Sequence, residues 1–248
     1  MNIIQVDSIL NHQVAMKNVV ARSAQSLSLS EKRIVLAAIA RLDSRLPRAH
    51  YLPPERRRIR VSARDYAELA DVDMRLAYRD LMAACERLFD RYLRIVVDTP
   101  KGRKEIKRRW VEAVVYHHGE GYVEVTVATE ILPHLVELRG RFLTYRLKQA
   151  EGLRSIYSWR FLEFLTSFSG DQGTVVVPLD DLRHALEIPE SYQWYDIKRK
   201  VIQVAVEELR LKDSWDITWE VAGRNRKSVA AVRFRWKRDP QQDMFRRD

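Results

Sequence analysis

The stretch that decides the fold is Ile188 to Leu211, IPESYQWYDIKRKVIQVAVEELRL. Pro189-Glu-Ser191 is a turn, and helical periodicity runs from about Asp196 to Leu211. At 100° per residue, Val201, Ile202, Ala205 and Leu209 gather on one face. The opposite face carries Asp196, Arg199, Lys200, Gln203 and Glu207. A helix with one core side and one donor-bearing side, entered from a tight turn, has the character of the second helix of a helix-turn-helix. Its surroundings agree. Upstream lie a helix over about Leu153 to Phe168, with the stripe Tyr157, Phe161, Phe164, Leu165 and Phe168, then a strand from Thr174 to Val177 and a short helix from Leu179 to Leu186. Downstream, strands Trp215 to Val221 and Val229 to Trp236 flank the turn Gly223-Arg-Asn-Arg-Lys227. Helix, strand, short helix, longer helix and β-hairpin is the winged-helix order.

The first half repeats it. Ser28-Leu-Ser-Glu31 has capping-box spacing and opens a helix carrying Ile34, Val35, Ala38, Ile39 and Leu42. After a loop around Leu52-Pro53-Pro54 comes a strand through Ile59 and Val61, then a short helix started by Ser62-Ala-Arg-Asp65. The turn Asp71-Val72-Asp73 leads into a longer helix expected to reach about Tyr92. Three β runs follow, Leu93 to Val97, Trp110 to Tyr116 and Tyr122 to Val127, expected to form a hairpin or a three-stranded sheet. The fold expected is α+β, two tandem winged-helix domains at 23–138 and 139–240, between tails at 1–22 and 241–248. An unrelated α+β fold is the alternative, and the duplicated order argues against it.

Composition points to a polyanionic partner. The 248 residues hold 44 Lys plus Arg against 34 Asp plus Glu, a formal charge of +10, which favours nucleic acid or, less often, an acidic membrane face. The lone Cys85 excludes an internal disulfide, and its helical neighbours Ala83, Ala84 and Leu88 predict a buried structural thiol. No signal-peptide pattern opens the chain and no apolar run approaches the roughly 20 residues of a membrane span, so a cytoplasmic protein is expected.

Within this plan the DNA-contacting candidates follow from donor chemistry. Arg199 and Gln203 lie one turn apart and suit adjacent base edges, since Arg pairs bidentately with guanine and Gln with adenine. Lys198, nearer the packed side, suits a phosphate. In the first half Ala77, Leu81, Ala84, Cys85 and Leu88 form the core side of the longer helix. Arg75 and Arg79 face away with Tyr78 on the flank, and exposed ion pairing is an equal alternative for the two arginines. Cationic hairpin tips suit phosphates. Lys101, Arg103 and Lys104 head the run Lys101 to Arg109, and Arg224, Asn225, Arg226 and Lys227 form the second tip. Charged, solvated loops are the plainer alternative for both.

Catalytic signals are missing. There is no Gly-rich phosphate loop ending in Gly-Lys-Ser/Thr. His117 and His118 are neighbours on a strand and point to opposite faces, a poor start for a metal site. Asp180-Asp181 and Glu207-Glu208 are sequence neighbours on helices and do not share a face. No cofactor and no enzymatic activity are expected.

Several stretches resemble iteron-binding bacterial plasmid replication initiators. Ala24-Gln-Ser-Leu-Ser-Leu-Ser-Glu-Lys-Arg33 resembles the start of the family's first helix, and Arg141-Phe-Leu-Thr-Tyr-Arg-Leu147 its passage into the C-terminal domain. Tyr157-Ser-Trp-Arg-Phe-Leu-Glu163 resembles the first helix of that domain. Ile188-Pro-Glu-Ser-Tyr192 and Asp196-Ile-Lys-Arg-Lys-Val-Ile-Gln-Val204 resemble its turn and recognition helix. The likeness runs from about residue 20 to 240. It implies two winged-helix domains, monomers on directly repeated origin sites that help open the origin for host replication proteins, and dimers formed through the N-terminal domain that repress their own gene at an inverted repeat. The family's basic recognition-helix triplet falls on Lys198, Arg199 and Lys200. The Pro/Arg segment Pro47 to Arg58 and the Trp-rich second wing depart from the pattern. A transcriptional regulator without an initiator role, a DNA-nicking enzyme and a structural oligomer are the other readings.

Overall fold

The computed structural model describes residues 7–45, 52–117, 119–226 and 228–239. Of the segments singled out above, 47–51, His118, Lys227 and 241–248 lie outside the described residues.

The chain is ordered well before residue 23. Strand β1 (Gln13–Lys17) and helix α1 (Asn18–Ala21) occupy the C-terminal part of the segment expected to be a tail, and Val14, Met16, Val20 and Ala21 are buried. This corrects the expectation: three apolar residues, Val14, Ala15 and Met16, too short a run to signal a domain, are held by a strand far along the chain. Helix α2 (Leu29–Arg41) begins as its spacing predicts. Ser28 Oγ accepts the Glu31 N–H at 3.3 Å and Glu31 Oε2 accepts the Ser28 N–H at 2.8 Å. Residues 31–40 are all buried, as expected of a helix covered on every side.

Helix α3 (Pro54–Arg57) and strand β2 (Arg58–Ser62) precede α4 (Ala63–Ala70), whose Ser62/Asp65 capping box is formed. Asp71, at φ 52°, ends α4 in the left-handed region, and Asp73 caps α5 (Met74–Leu88) through the Leu76 N–H at 2.9 Å. Helix α5 stops four residues short of the expected Tyr92. Asp90 and Arg91 form a closing turn on the Arg87 and Leu88 carbonyls, and Tyr92 is taken into β3 (Tyr92–Thr99). β3 pairs in continuous register with β4 (Gly102–Arg109), from Tyr92↔Arg109 to Thr99↔Gly102. β5 (Val111–His117) and β6 (Tyr122–Val127) then join β2 in a separate sheet of order β2-β6-β5.

β7 (Phe142–Arg146) pairs antiparallel with β1, Val14 opposite Tyr145 and Met16 opposite Leu143. The second unit follows as α6 (Ile156–Ser169), β8 (Gln172–Pro178) and α7 (Leu179–Leu186). A continuous rod comes next: α8 (Trp194–Asp196), a π-helical turn (Ile197–Ile202) and α9 (Gln203–Asp213). β9 (Trp215–Asn225) and β10 (Ser228–Arg238) close it, in a sheet of order β8-β10-β9. Each unit thus has helix, strand, helix, helix, hairpin, and in each the last strand lies central. These are two winged-helix domains.

A buried polar join welds the units. Glu163 of α6, fully buried, receives Lys32 Nζ of α2 at 2.8 Å and Arg160 Nη1 at 3.0 Å. The Tyr145 hydroxyl donates to it at 2.8 Å and Gln25 Nε2 at 3.3 Å, while Trp159 Nε1 donates to Tyr145 at 2.9 Å. Arg160 also donates to the carbonyls of Ala21 and Ser23, at 3.1 and 2.6 Å. Burial alone disfavours the Glu163 charge, but Lys32 and Arg160 outweigh it and hold its pKa below the usual carboxylate range. Burial brings Lys32 down to about 8. The Lys32-Arg33 pair at the start of α2 is internal: Arg33 is also buried and donates to the Leu153 carbonyl at 2.8 Å.

Candidate nucleic-acid interface

In the second unit, Ile197, Val201, Ile202, Ala205 and Leu209 bury one side of the rod. Arg199, Lys200 and Gln203 are exposed and Lys198 is half-buried, as the helical period predicts. The π turn spans the basic triplet itself. Such turns insert an extra residue into the helical ladder and occur frequently at functional sites.

The triplet stands on aromatic rings that the sequence reading did not single out. The Arg199 guanidinium donates to the Tyr195 hydroxyl and lies 5.2 Å from its ring centroid. Lys198 Nζ is 5.7 Å from the same ring, and Lys200 Nζ is 4.9 Å from that of Tyr192. Tyr195 is itself 58% exposed. Lys200 also binds Asp196 at 2.9 Å, a hydrogen bond that raises the lysine pKa and lowers the carboxylate's. The signal was present as an aromatic run, Tyr192 to Tyr195, ahead of the cations, but it reads equally well as core.

The second wing is coupled to this helix. Trp219 of β9 meets Trp194 edge-on, with centroids 5.9 Å apart. At the tip Arg224, Asn225 and Arg226 are exposed, and Arg226 adopts φ 52° to make the turn. Lys227 lies outside the described residues. Arg233 and Arg235 farther down β10 share Glu220 and are less available.

The first unit is arranged differently. Arg75 is exposed, Arg79 pairs with Asp80 at 3.1 Å, and both lie in the N-terminal half of α5. Tyr78 is half-buried: its hydroxyl accepts the Gly119 N–H at 3.1 Å and its ring abuts Gly121. That contact ties α5 to its own wing turn, so Tyr78 has a packing role. The C-terminal half of α5 presents Met82, Glu86 and Phe89.

Lys101, Arg103 and Lys104 do not sit on the wing. They belong to the β3–β4 hairpin, which is inserted between the first-unit counterparts of α9 and β9, that is, between α5 and β5. The true first wing is the β5–β6 turn, with Gly119, Glu120 and Gly121 and no Lys or Arg among its described residues. The expected match of two cationic tips is thus corrected. Three β runs followed α5, and only hydrogen-bonded pairing decides which two extend the β2 sheet. All three cations are exposed, and Arg103 also reaches a cleft between the units. Farther along β4, Arg109 lies over Phe89 at 4.3 Å and Arg108 binds Glu130.

Cys85 is buried, and desolvation pushes its thiol up to about 11, which fits a structural residue. Among the described residues no helix is long and apolar enough to cross a membrane.

Comparison with known proteins agrees with the architecture. The E. coli PI protein is 24% identical over 227 residues, covering 79% of this chain and 72% of its own length. The crystal structure of Pi initiator protein in complex with iteron DNA matches with a TM-score of 0.77 at 21% identity, over 93% of this chain and 98% of that one, which shows a shared fold. The family model for the first winged helix of initiator replication proteins matches residues 13–166, and that for the second matches residues 178–236. On those two matches, the chain belongs to the initiator replication protein family.

Proposed function

We propose that this protein initiates replication of a plasmid by binding short, directly repeated duplex sites at the origin, each site read by the two winged helices of one chain. The observation that carries the reading is the pairing, in one member of the initiator family, of an exposed basic reading helix with a cationic wing braced against it. Arg199 and Gln203 address base edges in the major groove, while Lys198, Lys200, Arg224, Asn225, Arg226 and Lys227 hold phosphates. Arg75 and Arg79 serve the first unit, with Lys101, Arg103 and Lys104 as an outlying phosphate contact. The solved relative that is bound to iteron DNA supports the choice of ligand.

The reading extends to a dimer that represses the protein's own gene at an inverted repeat, to host replication proteins recruited at the opened origin, and to action in the cytoplasm. It includes no catalytic step, and a plasmid-nicking assay with divalent metal should give no cut product. The decisive experiment selects bound duplexes from a random pool, titrates the selected site against salt and asks whether a circle carrying its repeats replicates when the protein is supplied. A site bound at least about a thousandfold more tightly than random DNA, with replication of the circle, is expected. Tight specific binding without replication would leave a transcriptional regulator.

A further inference from the structure

One cleft lies apart from both reading helices and both wings. It has a volume of about 730 Å³ and is walled by α1, β3, β4 and the start of β7 on one side and by α6, β8 and α7 on the other. Five cations line it, Lys17, Arg22, Arg103, Arg139 and Arg141, against one carboxylate, Asp181; of the five, Arg139 binds Glu137 at 3.2 Å and Arg103 has a partner of its own. Its floor is apolar: Phe164, Phe168 and Val176 contribute, with Val96 opposite.

Arg22 is the feature that needs a partner. Its guanidinium lies 3.9 Å from the Phe168 ring centroid and is fixed by the Ser167 hydroxyl at 2.9 Å and the Ser167 carbonyl at 2.6 Å. Half-buried and beside Arg141, it is held below its usual pKa by desolvation and then by that neighbour's charge. Among the described residues neither Arg22, Arg141 nor Lys17 has a salt bridge to a carboxylate. Placing Arg141 and Lys17 beside a partly desolvated guanidinium, with Asp181 the one carboxylate on the wall, is unfavourable, and a bound anion relieves it. Asn18 on the same wall donates to the Ser167 carbonyl at 2.5 Å, so that with Arg22 it fixes α1 against the end of α6.

We propose that this cleft binds a free nucleoside phosphate, its phosphates on Arg22, Arg141 and Lys17 and its base on the Phe168 and Val176 surface. The volume falls within the range of small-ligand sites and is far too small for a duplex about 20 Å across. The apolar floor adds what inorganic phosphate does not use. Because both units contribute walls, the occupant bridges them away from the reading helices and wings, and Arg103 is the one lining residue shared with the outlying phosphate contact proposed above.

The test titrates the full-length protein into ribose-labelled fluorescent ATP and follows anisotropy at physiological salt. Saturable binding is expected, displaced by unlabelled ATP. Arg141→Glu, at an exposed position, should weaken it by about ten- to a hundredfold, the effect of losing a charged hydrogen bond, with an unchanged thermal melt; Arg22→Met should do the same. Four results overturn the proposal: no saturation up to about 1 mM, a site outside ordinary small-ligand affinities; Arg141→Glu binding like wild type; pyrophosphate displacing the label as well as ATP, which means simple anion attraction; or random-sequence duplex displacing it mole for mole, which makes the cleft part of the DNA surface.

Discussion

The two winged-helix units share a topology and differ in where they put charge. The second keeps its cations on the elements that enter and flank a groove: Lys198, Arg199 and Lys200 on the rod, Arg224 and Arg226 on the wing it touches through Trp194 and Trp219. The first places three arginines on α5, two of them paired, Arg79 with Asp80 and Arg87 with Glu31, leaves its wing turn without Lys or Arg among the described residues, and moves its cations to an inserted hairpin. A duplicated fold therefore does not imply duplicated contacts. On the function proposed above, the second unit reads and the first holds position at a distance from its own wing.

The largest expected effect concerns what keeps these unlike units in one body. Glu163→Leu strands Lys32 and Arg160 without their carboxylate in a dry interface, and should cost about 3–5 kcal/mol, measured by urea unfolding. A single transition that moves as a whole would show that the units fold together, whereas two separated transitions would show that the join is not needed for either. Next, Arg199→Ala should lose about 1–3 kcal/mol of discrimination between cognate and random duplex, while Arg79→Ala, whose side chain already has Asp80, should lose less. Equal losses in competition binding would erase the contrast between the units. Arg224→Ala and Arg226→Ala should each reduce the slope of log affinity against log salt by about 0.9. An unaltered slope would return the second wing to the status of a solvated loop. The smallest effect is expected for Tyr78→Phe, which removes one hydrogen bond to the Gly119 N–H and should cost about 0.5–1.5 kcal/mol of stability with little change in the salt slope. A changed slope would make Tyr78 a phosphate contact after all.

Much of this was legible from residue order. The Ser28/Glu31 and Ser62/Asp65 boxes start helices as their spacing predicts, because capping is settled within four residues. The core and exposed faces of α5 and of the rod follow from helical period, and the exposed Arg199, Lys200 and Gln203 were found that way. Harder to see were Tyr192 and Tyr195 beneath the basic triplet, since an aromatic at helical spacing carries no mark of whether it faces the core or solvent. The π turn shifts the helical phase through the triplet without any Gly or Pro to announce it.

The sequence by itself determined the repeated helices and most strands of the two units, their order, the cationic balance and the exposed basic face of the second unit's long helix, all of which rest on composition, local periodicity and capping. Tertiary structure alone decided which strands pair, and so that Lys101 to Lys104 ride an inserted hairpin instead of a wing. It also decided that β1 belongs with β7 and that Lys32 and Glu163, ordinary surface charges by composition and 131 residues apart, meet in the interior at 2.8 Å. Strand pairing and buried ion pairs are contacts between distant segments, selected by the free energy of the whole packed chain, and no short window of sequence contains the partner that makes the choice.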